Sequence, residues 1–179
     1  MKVWLILMGL CLLSTIGQVC GEDSSFEVGS FNFTPPKSWE SVKVKSPMRK
    51  AHLLIRGDTD KENAEVVFFH FQAGDGGSVK ENISRWVSQF KNVNEKDIVV
   101  TQIKMNQTPV MMVSIATGTF LSGMPGSSLS EVPDFGLRGA ILEGPKGNVF
   151  IKMTGSSALV LREGGAFEEF IKTAVLKSK

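Results

Sequence analysis

The sequence predicts an α+β fold: an antiparallel-dominated sheet flanked by helices on both faces. Three observations carry this reading. Residues 65–72, EVVFFHFQ, form a strand that is apolar on both sides, with Val66 and Phe68 pointing one way and Val67, Phe69 and Phe71 the other. Such a strand belongs in the middle of a sheet with a layer on each face. An amphipathic helix follows it directly. The remaining apolar segments, apart from a closing amphipathic helix, read as strands mostly joined by short turns, without the regular strand–helix alternation of a parallel sheet.

The helix after this strand begins at Ser78, where Glu81 three residues on completes a capping box. Val79, Ile83, Trp86, Val87 and Phe90 then fall on one face at helical spacing, so the helix is expected to run to Lys91. The glycine-rich turn AGDGG separates strand from helix. Upstream, FEVGSFNF is extended and broken by Thr34-Pro35-Pro36, because two prolines exclude a central strand or helix. Trp39, Val42 and Val44 mark a turn into a short strand, with Trp39 as a core lid over the proline turn. Residues 51–55, AHLLI, make another strand, and the polar run RGDTDKEN after it is turn chemistry.

Downstream, IVVTQIKM and TPVMMVSIATGTFL are two strands joined around Asn106 and Gln107. Residues 122–135 are rich in Gly, Ser and Pro and read as the longest loop. GLRGAILEG and NVFIKMTG form a hairpin around Pro145-Lys146-Gly147. Phe167, Phe170, Ile171, Ala174 and Val175 mark a closing amphipathic helix, preceded by Gly164-Gly165.

Composition bounds the function. The 179 residues carry a formal charge of +2 and no tyrosine. A nearly balanced surface with no basic stripe interleaved with aromatics argues against nucleic acid as a partner. Met1 to Gly21 reads as a secretory signal, with Lys2 as the charged start and Val3 to Leu13 as an apolar run too short to span a bilayer comfortably. Residues 22–179 are then a single α+β domain. Cleavage after Gly17 or Gly21 is one expectation. The other is a bacterial lipoprotein in which Cys20 is the lipidated first residue, and only in that case is the membrane a partner. Val19 fits the lipoprotein pattern poorly, since a small residue is expected there. The two cysteines, Cys11 and Cys20, leave no internal disulfide in the mature domain.

No catalytic constellation is written in the sequence. AGDGGS leads into a helix N-terminus, where free N–H groups can hold an anion on Gly76 and Gly77. It lacks the Lys-Ser/Thr ending of a phosphate-binding loop, Asp75 sets a negative charge beside it, and a sharp glycine turn explains it better. His52 and His70 are the only histidines, and no spacing supplies the further ligands of a zinc site. His70 shares its strand face with Val66 and Phe68 and reads as a satisfied, partly buried histidine. Asp58, Asp60 and Glu62 alternate in a turn without the glycine and closing glutamate of a calcium loop. GxSxG is absent. Arg49 and Arg85 read as exposed charges. Asn32, Asn82 and Asn106 each begin an N-x-Ser/Thr sequon. No metal and no cofactor is implied.

FTPPKSW, SPMRKA, FFHFQAGDGGSVKENISRWVSQF and GAILEGPKGNVFIKMTG followed by FEEFIKTAV together resemble small secreted proteins of unassigned function from environmental bacteria. The order of elements also resembles PsbP-like and DcrB-like domains, whose fold is an antiparallel sheet between helical layers. That resemblance implies an accessory or binding module and transfers no active-site residue. Three readings follow. The first is a secreted, periplasmic or outer-envelope module that binds a protein or small ligand. The second is a hydrolase-type enzyme assembled from separated residues such as His70, Arg49 and Asp75. The third is a small-ligand carrier with an apolar pocket beneath residues 122–135.

Overall fold

The computed structural model describes residues 25–106, 108–123 and 128–176. The segment read as a signal, residues 1–21, and Cys20 lie outside them. The strands are β1 (Phe26–Val28), β2 (Phe31–Phe33), β3 (Trp39–Ser41), β4 (Arg49–Ile55), β5 (Ala64–His70), β6 (Phe90–Lys91), β7 (Ile98–Met105), β8 (Thr108–Ser122), β9 (Ser130–Leu142), β10 (Val149–Ser156) and β11 (Val175–Leu176). The helices are α1 (Val79–Val87), α2 (Ser157–Arg162) and α3 (Gly164–Lys172). The large sheet runs β3-β4-β5-β10-β9-β8-β6, with β7 also paired to β8, and a small sheet runs β1-β2-β11. These pairings are antiparallel.

The doubly apolar strand takes the central place its pattern demanded, as β5 between β4 and β10. Strand alternation on β10 feeds two separate cores. Val149, Ile151 and Met153 join a cluster that includes Val66 and Phe68 of β5, Phe31 and Phe33 of the small sheet, and Phe167, Phe170 and Ile171 of α3. Phe150 joins the other, with Trp86 of α1 and Val113, Ile115, Leu137 and Ile141 of β8 and β9. The chain is thus a mostly antiparallel sheet with a few short helices. Part of the cover expected of helices comes instead from the three-stranded sheet.

Several expected boundaries move. The residues read as a long loop, 122–135, are in large part strand, since β9 begins at Ser130 and pairs with β8 from Ser122↔Ser130 onward. Pro133 is tolerated because the pairing shifts register between Gly118 and Phe120, and Asp134 beside it takes φ 55°; bulges are where a strand accepts proline. Helix α1 stops at Val87, with Ser88 as its C-cap, rather than reaching Lys91. Phe90 stays in the core but arrives there as a strand residue opposite Phe120. Helix α3 ends at Lys172, so Val175 is an exposed strand residue and not part of the helical stripe. Helix α2 was not anticipated. Ser156 caps it by accepting from the Leu159 N–H, and Leu159 and Val160 are buried.

Candidate functional site

Antiparallel register decides which residues meet beneath α1. His52 lies opposite Val67, Val67 opposite Lys152, Lys152 opposite Gly139, and Gly139 opposite Val113. Residues directly opposite share a face, so Lys152 stands in a row across the sheet beside a position with no side chain. The ring of Trp86 occupies that space. A Cβ on Gly139 would lie 2.7 Å from Trp86 Cε3, closer than carbon atoms approach. This is a close approach that only glycine permits.

Around that contact is a pocket of about 220 Å³, lined by Phe69, Phe71, Trp86 and Phe150 with Asn82, Arg85, Gln89, Lys152 and Met48. Four aromatic rings make the wall, and Met48, 60% exposed, stands at the rim. The polar groups are held in place. Lys152 Nζ donates to Gln89 Oε1 at 2.9 Å and lies 5.7 Å from the centre of the Phe120 ring. Asn82, buried in α1, donates through Nδ2 to the carbonyls of Gly76 (2.8 Å) and Ser78 (2.9 Å), and its Oδ1 accepts from Arg85 Nη2. Asn82 therefore ties the glycine turn to the helix and aims Arg85.

Electrostatically the pocket is cationic. Among the described residues, no carboxylate comes within ion-pair distance of Lys152 or Arg85. Glu65 acts on Lys152 from a distance, but it pairs with Arg49 Nη1 at 3.6 Å and lies 3.5 Å from His52 Nε2. Glu81, one turn from Arg85, acts on that guanidinium while its carboxylate accepts from Ser78. Burial, with Arg49 and Arg85 nearby, pulls the Lys152 ammonium down to about 8 against the opposing pull of Glu65. A buried amine loses hydration that favours its charged form, and like charges act in the same direction. Burial also lowers the pKa of His52, with Glu65 raising it and Arg49 lowering it. Its Nε2 has no hydrogen-bond partner.

The residues singled out from the sequence fall into three places. Arg85 lines the pocket, and Arg49 stands near enough to act on Lys152. Gly76 and Gly77 shape the turn that Asn82 anchors, with φ of 83° and 79°. Asp75 lies instead in a shallow groove with Gly144, Gly147 and Asn148. His70 is on the opposite face of β5, where Nε2 meets the Lys146 carbonyl at 3.2 Å. His70, Arg49 and Asp75 do not converge, so the enzyme assembled from them has no geometric basis. The helix N-terminus is occupied from within: the Ser78 N–H and hydroxyl both donate to Glu81 Oε2, and the Glu81 N–H donates to Ser78 Oγ. The pocket walled by four aromatic rings is beneath α1, and two separate cavities of about 340 and 440 Å³ lie against residues 122–135, both lined in part by Val132 and Phe135. Sequence reasoning missed Lys152, Gln89 and the buried role of Asn82. The one available signal was a lysine inside VFIKMTG, facing the same way as Phe150.

No family model and no curated protein matches this sequence. Solved structures do match its shape. The solution structure of cyanobacterial PsbP (CyanoP) from Synechocystis sp. PCC 6803 superposes with a TM-score of 0.54, covering 92% of this chain and 99% of that one at 10% identity. The fold is PsbP-like. A protein of unknown function from Pseudomonas aeruginosa, PA94, described as a putative regulator, superposes with a TM-score of 0.50 over 89% of this chain and all of its own, again at 10% identity. At such identity the PsbP-like likeness extends to the fold alone. Among the described residues no helix is long and apolar enough to cross a membrane, and no cluster of His, Cys, Asp or Glu is arranged to hold a metal.

Proposed function

We propose that this chain is an accessory binding module whose small-molecule ligand enters the pocket between α1 and the sheet. The observation that carries the reading is the convergence of four aromatic rings with two cations that, among the described residues, have no carboxylate within ion-pair distance. Mostly apolar walls with a few fixed polar groups are the usual make-up of a ligand site. The expected setting is outside the cytoplasm, through the signal read at residues 1–21, with anchoring only if Cys20 is lipidated.

Fragment mapping by NMR tests the site. Small organic fragments are expected to shift the Trp86 indole, Gln89 and Lys152 resonances together. Shifts confined to the groove around Asp75, Gly144 and Asn148, or no shifts at all, would oppose this reading. Intact-mass analysis of protein exported by its host tests the setting: a start between Gln18 and Glu22 is expected, and a Met1 terminus in exported material would contradict it.

A further inference from the structure

The pocket has a charge problem that its own residues leave unsolved. Lys152 and Arg85 both line it, and each is held by a neutral side-chain oxygen, from Gln89 and Asn82 respectively. Neither oxygen carries the charge that would offset two neighbouring cations. A largely buried ammonium such as that of Lys152 costs stability without a counter-charge, through lost hydration and repulsion from the more exposed guanidinium of Arg85. The nearby Glu65 is already engaged with Arg49 and beside His52, and Glu81, which acts on Arg85, is already engaged with the Ser78 N–H and hydroxyl. Phe69, Phe71, Trp86 and Phe150 meanwhile leave an aromatic wall with room beside it. A cavity of about 150 Å³ lined by apolar side chains holds a benzene ring; one of about 220 Å³ has space for a ring and a short tail.

We propose, resting on the site assignment above, that the pocket binds an amphipathic organic monoanion: a carboxylate held by Lys152 and Arg85, on an aromatic or short-chain apolar body packed against Phe69, Phe71, Trp86 and Phe150. Each part answers one feature. The carboxylate supplies the missing charge and accepts from donors that Gln89 and Asn82 hold in place, and charge-assisted hydrogen bonds of this kind are the strong ones. The apolar body covers rings that an inorganic anion would leave wet. The planar guanidinium of Arg85 can offer two parallel N–H groups to a carboxylate, and its contact with Asn82 fixes the direction in which it does so. Met48 at the rim is unbranched and exposed, so it can fold over ligands of differing shape.

The test compares 4-phenylbutyrate, 4-phenyl-1-butanol, 4-phenylbutylamine and inorganic phosphate by titration, with Trp86 and Lys152 resonances as the reporter of place. Phenylbutyrate is expected to bind in the pocket at least about tenfold more tightly than the alcohol, the least that one charge-assisted hydrogen bond supplies. Lys152→Met and Arg85→Gln should each remove most of that preference while leaving alcohol binding in place. Two variants guard against a folding artefact, since one changes a half-buried residue and the other an exposed one. Alcohol or amine binding as tight as phenylbutyrate, or a preference that survives both substitutions, overturns the proposed ligand class and leaves the pocket as a site. Phosphate binding more tightly than phenylbutyrate overturns the apolar-body half. If none of the four shifts Trp86 or Lys152, the site assignment fails together with the proposal.

Discussion

Trp86 packs against Gly139, in a row of the sheet where a missing side chain lets a helix ring approach the backbone. The same row carries Lys152, directly opposite Gly139 on β10. Packing and site geometry therefore hang on a single pair. Trp86→Ala should cost about 3–5 kcal/mol, the usual range for deleting a buried aromatic. Gly139→Ala should cost about 1–3 kcal/mol through overpacking. It should also widen or tilt the seat of α1, which Trp86 fluorescence in a Trp39→Phe background reads out. Chemical denaturation of both variants checks the magnitudes, and a neutral Gly139→Ala would mean that the ring is not seated there.

Asn82 is the second structural dependency. It is 1% exposed and makes three side-chain hydrogen bonds, to Gly76, Ser78 and Arg85. Asn82→Ala removes the side chain that ties the Gly76 and Ser78 carbonyls together from a buried position, and should destabilise by about 1–3 kcal/mol. Arg85→Ala removes an exposed side chain and should stay within about 0.5 kcal/mol. Paired urea melts decide the order of the two effects.

The glycine turn should respond unevenly to alanine. A Cβ at Gly76 would come within 2.8 Å of the Phe71 ring at a φ of 83°, whereas one at Gly74, φ 93°, meets nothing within 4 Å. Both substitutions incur the left-handed backbone penalty of about 1–2 kcal/mol, and only Gly76→Ala adds a clash. Gly76→Ala should therefore have the lower melting temperature. Sulfate should raise the melting temperature of the protein no more specifically than it does that of Gly77→Ala, because Glu81 already occupies the Ser78 donors at the helix start.

Stability should also depend on alkaline pH through Lys152. Its folded pKa is about 8, below the ordinary 10.5, so between these values the unfolded chain binds more protons than the folded one. Stability then rises with pH across that window, and the cost of the buried charge is fully present below it. Burial sets this shift, with Arg49 on β4 and Arg85 on α1 adding to it and Glu65 on β5 opposing it. Urea midpoints from pH 7.5 to 10.5 should climb in the wild-type protein relative to Lys152→Met, in which this contribution is absent.

Much of the fold was legible because strand alternation and glycine turns are local signals. The double apolar pattern of residues 66–71 put β5 in the sheet centre, and Ser78 with Glu81 marked the start of α1. Helix ends were less legible. Phe90 keeps the helical spacing in sequence yet sits in a strand, because pairing with Phe120 supersedes the local pattern. Pro133 concealed β9 because a register shift across the hairpin, which no local pattern encodes, absorbs it. The site was the least legible part. Arg85 was visible as a charge on a helix, but its neighbour Lys152 is 67 positions away and is brought to it only by the register of β5, β10 and β9. Nothing local in VFIKMTG says that the lysine faces a helix rather than water.

The account turns on Lys152 as an unpaired cation within a ligand pocket, and titration of its side chain tests that most directly. Lysine ε-carbon NMR across pH 6–11 should show one resonance with a midpoint near 8, absent from Lys152→Met. Saturating 4-phenylbutyrate should move that midpoint upward, because a bound carboxylate favours the charged amine. A Lys152 midpoint at the ordinary lysine value, unmoved by the carboxylate, would contradict the account.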